Sequence, residues 1–165
     1  MFNSKKIIIV VMAILSIGWI STYAQEPAVL SEELHLSEDL RALLREEMQE
    51  IATASQAVVL SLATGDWKSI EHISEKIRAS YVMERKLSAS QRRELEEQLP
   101  EHFKKLDMEF HARAEKLGLA AAARDPEIVA FQYYRLVESC TVCHAAFAKT
   151  RFPGFLSNEL EIHHH

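Results

Sequence analysis

Glycine and proline are scarce in this chain of 165 residues, with four of each, and cysteine occurs only twice. Two cysteines fall short of the four sulfur or imidazole ligands that a structural zinc site takes. Alternation of apolar and polar residues, the mark of a half-buried strand, is missing, as are low-complexity tracts and internal repeats. No paired carboxylates, Ser/His/Asp set or phosphate loop stands in the context such chemistry needs, so the chain is read as a non-enzyme. Asp and Glu number 24 against 19 Lys and Arg, a formal charge of −5. That surface argues against nucleic acid as a partner and suits solubility or a basic partner.

What is present is helix-forming. Between the few glycines and prolines the chain is rich in Ala, Leu, Glu, Lys, Arg and Gln. Gly65, Gly118, Gly154 and the prolines read as breaks. Ser37 is expected to cap a first helix, with Glu38 and Asp39 in its first turn. Its buried stripe runs Leu40, Leu44, Met48, Ile51, Ser55, Val58 and Leu62. Gly65 ends it, and Asp66 caps a second helix with the stripe Ile70, Ile73, Ile77, Tyr81 and Glu84. Ser88-Ala89-Ser90-Gln91 has capping-box form and predicts a short helix over 89–98. Pro100 opens a third long helix with the stripe Phe103, Leu106, Phe110, Ala114 and Leu117. Asp125-Pro126 opens the fourth, whose inward face carries Val129, Tyr133, Leu136, Cys140, Cys143 and Phe147. Four amphipathic helices predict an all-α antiparallel four-helix bundle over residues 25–155.

Cys140-Thr141-Val142-Cys143-His144 near the end of the last helix carries the chemistry. C-x-x-C-H reads as a c-type haem attachment site. Positions three and four apart share a helix face, so both thiols can form thioethers at one porphyrin edge while His144 turns under the iron. Three other readings compete: a structural disulfide, which gives His144 no task; a thioredoxin-like dithiol, which wants a βαβ context; and zinc. The N-terminus agrees with haem. Lys5 and Lys6 precede the apolar run Ile7–Ile20, and Ala24 offers a cleavage position. This predicts a secretory signal over 1–24 rather than a span, which needs about 20 apolar residues. Its removal takes two lysines and no acid, leaving a charge of −7. The expected location is the periplasm, with no stable membrane insertion. Residues 156–165, ending in three histidines, are treated as a tail.

The position of the motif on the last of four helices resembles the class II cytochromes c, that is, cytochrome c prime and its low-spin, six-coordinate relatives. Phe110, Ala114, Leu117 and Ala120, then Asp125, Val129, Val137-Glu138-Ser139-Cys140, Cys143-His144 and Phe147 carry the likeness, over roughly residues 103–150. The resemblance implies a left-handed bundle with one covalent haem c per chain, and it allows for a homodimer. One departure stands out. Where that family often has Arg or Lys four residues after the haem histidine, this chain has Ala148, with Lys149 and Arg151 nearby.

The sixth iron position separates two functions. Met48, on the first helix, is the candidate distal residue. A thioether suits low-spin iron and raises its potential, whereas Met on a stripe also serves as gap-filling core. Ligation predicts an electron carrier cycling between Fe(III) and Fe(II) with redox proteins as partners. Packing over an open iron predicts a binder of nitric oxide or carbon monoxide. Met83, Met108 and His35 are weaker candidates. His72, His102 and His111 read as surface or satisfied histidines. Arg41 and Arg45 are placed to meet haem propionates or to lie on a solvated face. Tyr133 reads as core and Tyr134 as surface.

Overall fold

The computed structural model describes residues 34–80 and 86–155. The expected signal, the tail, and Tyr81, Met83 and Glu84 lie outside the described residues. Five α-helices follow one another: α1 (Glu38–Thr64), α2 (Trp67–Arg78), α3 (Ala89–Gln98), α4 (Glu101–Ala122) and α5 (Pro126–Phe147), with a 3-10 turn at Pro153–Phe155. The fold is all-α, and no strand occurs among the described residues.

Local chemistry sets the helix ends. Ser37 Oγ accepts from the Leu40 N–H at 3.4 Å at the start of α1. At its end Gly65 takes φ 69°, and the Gly65 and Asp66 amides donate to the Leu62 and Ser61 carbonyls at 3.2 and 2.8 Å. This Schellman arrangement closes orphan carbonyls with a residue that pays no Cβ penalty at positive φ. Asp66 then caps α2 by accepting from the Ser69 amide and hydroxyl, bonds that hold its carboxyl below the usual carboxylate range. Ser88 and Gln91 form the reciprocal capping box of α3. Asp125 accepts from the Glu127 and Ile128 amides, with Pro126 in the first turn of α5.

Helix α2 packs most extensively on α4, α4 on α5, and α1 on both α2 and α5. Ile51, Val58, Ile70, Ile77, Leu117, Val129 and Leu136 form the shared core with Ala114, Ala120 and Ala121. Each large aliphatic group removed from water there contributes about 1.5–3 kcal/mol before the entropy of ordering is counted.

Three expectations are corrected. Gly118 does not break a helix; it lies inside α4, where a Cβ would come 3.1 Å from the Cβ of buried Ser74 on α2. The missing side chain lets the two helices approach, which offsets glycine's cost of about 1 kcal/mol in a helix interior. The second helix stops at Arg78, and Ser80 takes φ 60°, so the stripe does not run on to Tyr81 as one helix. On α1 the expected line holds at Leu40, Ile51 and Val58, but Glu47 takes the inward place expected of Met48. Glu47 is 3 % exposed and Met48 41 %, with Leu43, Leu44 and Ala54 half-buried. Glu47 lines one cleft with His111 of α4 and its charge helps raise the His111 pKa, a relation across helices that apolar spacing cannot reveal.

Candidate functional site

The last two turns of α5 carry Cys140, Cys143, His144 and Phe147. Leu136 and Ala146, both buried, anchor this stretch, which fixes the direction of the side chains between them. Cys140 and Cys143 are free thiols and half-buried. Cys140 Sγ donates to the Leu136 carbonyl at 3.6 Å. Burial pushes both thiols up, and Cys143 reaches about 11 because the charges of Asp107 and Cys140 add to the loss of solvent. Reactive redox cysteines have the opposite character, a thiolate favoured by an electropositive setting. Cys143 meets the negative charge of Asp107 in place of such a setting.

His144 is half-buried, and its pKa is lowered by burial and by the Arg151 charge. The neutral imidazole that results is the form that binds metals. Its ring stacks on Phe152 with centroids 4.5 Å apart and planes at 26°. A tight turn after α5 brings Phe152 there: the Ala148 carbonyl accepts from the Phe152 amide at 2.9 Å and from the Arg151 amide at 3.1 Å. The Arg151 guanidinium lies 5.8 Å from the centre of the Phe152 ring. Phe147 meets Phe103 edge-on at 5.2 Å and His102 at 5.6 Å, which ties the end of α5 to the start of α4.

Beside this corner, a cleft of about 130 Å³ opens between α1 and α4. Leu44, Met48, Ile51, Phe103 and Phe110 make its apolar wall. Glu47, Asp107 and His111 form its polar edge, and Leu95 of α3 contributes to its rim. His111 Nδ1 bonds the Ile77 carbonyl at 2.8 Å, and Nε2 lies 3.6 Å from Asp107 Oδ1. Asp107 belongs to the cleft and also acts on Cys143, so Met48 and the α5 motif share one end of the helical array. Cys140, Cys143 and His144 do not themselves line the cleft.

The remaining candidates sort plainly. His111 is a satisfied histidine. His102 packs on Phe147, while His35 and His72 are exposed. Met108 is exposed and lies outside the cleft. Arg41 and Arg45 both pair with Glu38, at 3.8 and 3.2 Å, on a solvated face. Tyr133 donates to the Ser55 carbonyl at 3.0 Å and Tyr134 is exposed. Phe152, Glu47 and Asp107 are the site residues that spacing alone passes over. Asp107 and His111, four apart on α4, carried a readable acid–histidine signal; Phe152 carried none, since its place depends on the turn.

The donor set has the chemistry that covalent haem attachment takes: two protonated thiols three apart on one helix and a neutral imidazole beside them. The cleft is smaller than the roughly 300–1,000 Å³ of a typical small-molecule site. Phe103 on its wall is half-buried, and α3, which contributes Leu95 to its rim, buries no residue of its own. Among the described residues no group of three or more His, Cys, Asp and Glu side chains is placed to hold a metal ion, and no helix is long and apolar enough to cross a membrane. The chain matches no family model, no curated protein and no solved structure.

Proposed function

We propose that this chain is an exported monohaem c-type cytochrome, a four-helix bundle of the class II kind, serving electron transfer in the periplasm rather than catalysis. The observation that carries the reading is C-x-x-C-H at the end of the last long helix of an all-helical chain, with both thiols free and His144 held neutral. Cys140 and Cys143 would tether the haem by thioethers, and His144 would supply the proximal imidazole. When bound, the haem supplies the Fe(III)/Fe(II) couple. The α1, α4 and α5 side chains keep the ligands still and water out, which keeps reorganisation on electron exchange small. Phe147, wedged between His102 and Phe103, holds the end of α5 against α4 during that exchange. Redox proteins are the partners, and a second copy of the chain is a candidate one.

A second reading has its own support. Met48 sits at the edge of the buried line of α1, 41 % exposed, not at its centre. A side chain there can pack over the iron without ligating it, and the site would then bind nitric oxide or carbon monoxide as a five-coordinate cytochrome c prime does.

Haem staining on a denaturing gel and the intact mass test attachment; the bare polypeptide mass from correctly matured protein rejects both readings. The reduced visible spectrum separates them. A sharp split band indifferent to carbon monoxide, and lost in Met48→Ala, supports the carrier. A broad high-spin spectrum that shifts with carbon monoxide, unchanged in Met48→Ala, supports gas binding.

A further inference from the structure

We infer that Phe152 is the positioning residue for the His144 imidazole. The inference rests on the proposed haem attachment and concerns how the proximal ligand is held. A metal-ligating histidine is ordinarily oriented by a hydrogen bond from its second ring nitrogen to a carbonyl, carboxylate or water. Here no hydrogen bond to a described residue fixes either nitrogen of His144; the contact on its ring is the flat face of Phe152, 4.5 Å away and 26° from parallel. Offset stacking of this kind restricts rotation about the bond that joins the ring to its Cβ.

The stack is built into the backbone. Ala148 ends α5, and its carbonyl gathers the amides of both Arg151 and Phe152. The turn thus fixes the distance along the chain from His144 to Phe152. The Arg151 guanidinium also approaches the Phe152 ring, 5.8 Å from its centre. Position 148, alanine in this chain, supplies no basic side chain to the imidazole; the turn supplies an aromatic one from four residues further on.

The test uses the haem-loaded protein with Phe152→Ala and Phe152→Tyr. Low-temperature electron paramagnetic resonance of the ferric state reads the orientation of the axial imidazole. The parent and Phe152→Tyr give one narrow set of g values; Phe152→Ala gives broadened or multiple sets, with a shifted reduction potential. A single narrow set and an unchanged potential in Phe152→Ala overturn the inference, whatever happens to the unfolding temperature. Should Phe152→Ala prove too unstable to purify, Phe152→Leu keeps the bulk and removes the stacking face, with the same two outcomes. Intact mass is read first: a parent chain without covalent haem overturns the proposed function and this inference together, whereas a loaded chain indifferent to Phe152 overturns this inference alone.

Discussion

The crossing of α2 and α4 and the cleft between α1 and α4 share one helix and are built by opposite rules. At the crossing, Ile70, Ile77, Ala114 and Leu117 are wholly buried, and Gly118 and Ser74 let the backbones close in. At the cleft, the same α4 presents Phe103, Asp107, Phe110 and His111, none of them fully buried, and α3 adds Leu95 to the rim without burying one residue of its own. Small residues and aliphatics give the molecule its rigidity. Aromatic and titratable residues collect where packing is loose enough for a group to be seated. One helix does both because its apolar line shifts from large half-buried rings at its start to alanine and leucine at its end.

Four substitutions break or sharpen that contrast. Leu117→Ala at the crossing removes a fully buried side chain and leaves a cavity; it is expected to cost about 2–5 kcal/mol in chemical denaturation. Gly118→Val places branched carbon against Ser74 Cβ, already 3.1 Å from an added Cβ, and is expected to cost about 1–3 kcal/mol by the same measurement. A loss below that range would mean the crossing yields more readily than its geometry implies. Met48→Ala at the cleft is expected to change the stability of the polypeptide by about 1 kcal/mol or less, because the side chain is partly solvated already. A loss as large as that of Leu117→Ala would erase the distinction between the two regions.

The smallest effect is a pH dependence at the polar edge of the cleft. His111 is held above its ordinary pKa of 6.5, chiefly by the Asp107 carboxylate, with the Ile77 carbonyl and the Glu47 charge adding to it and burial opposing. The folded state then binds the proton more tightly than the unfolded chain. This contribution is complete below 6.5 and fades as pH rises through the folded value. Asp107→Asn is expected to lower the His111 pKa, read by a nuclear magnetic resonance titration of its ring, and to flatten the loss of stability above 6.5. An unmoved titration would show that Asp107 is not the controlling charge.

Much of the chain was legible because its signals are local. Ser37, Gly65, Asp66, Ser88 and Asp125-Pro126 each act within four residues, and each stands where its chemistry predicts. Side-chain partners across helices were not legible. Glu47 is buried in a cleft it shares with a histidine 64 positions on, although apolar spacing scores it as a surface residue. Gly118 read as a stop because its packing partner, Ser74, sits on another helix. Of the site, Cys140, Cys143, His144 and Phe147 came from one contiguous stretch. Phe152 needed the turn; Met48 was named from its stripe position, while its partial exposure beside inward Glu47 is not supplied by any count along the chain.

The reluctance of Cys143 to ionise has a practical side. Burial and the neighbouring Asp107 charge hold the thiol protonated at pH 7, so the thiolate is rare. Exchange with disulfides, alkylation and peroxide attack all proceed through that rare anion. Burial of the two sulfurs on the last turns of α5 therefore works against their ionisation, and with it against that whole class of reactions.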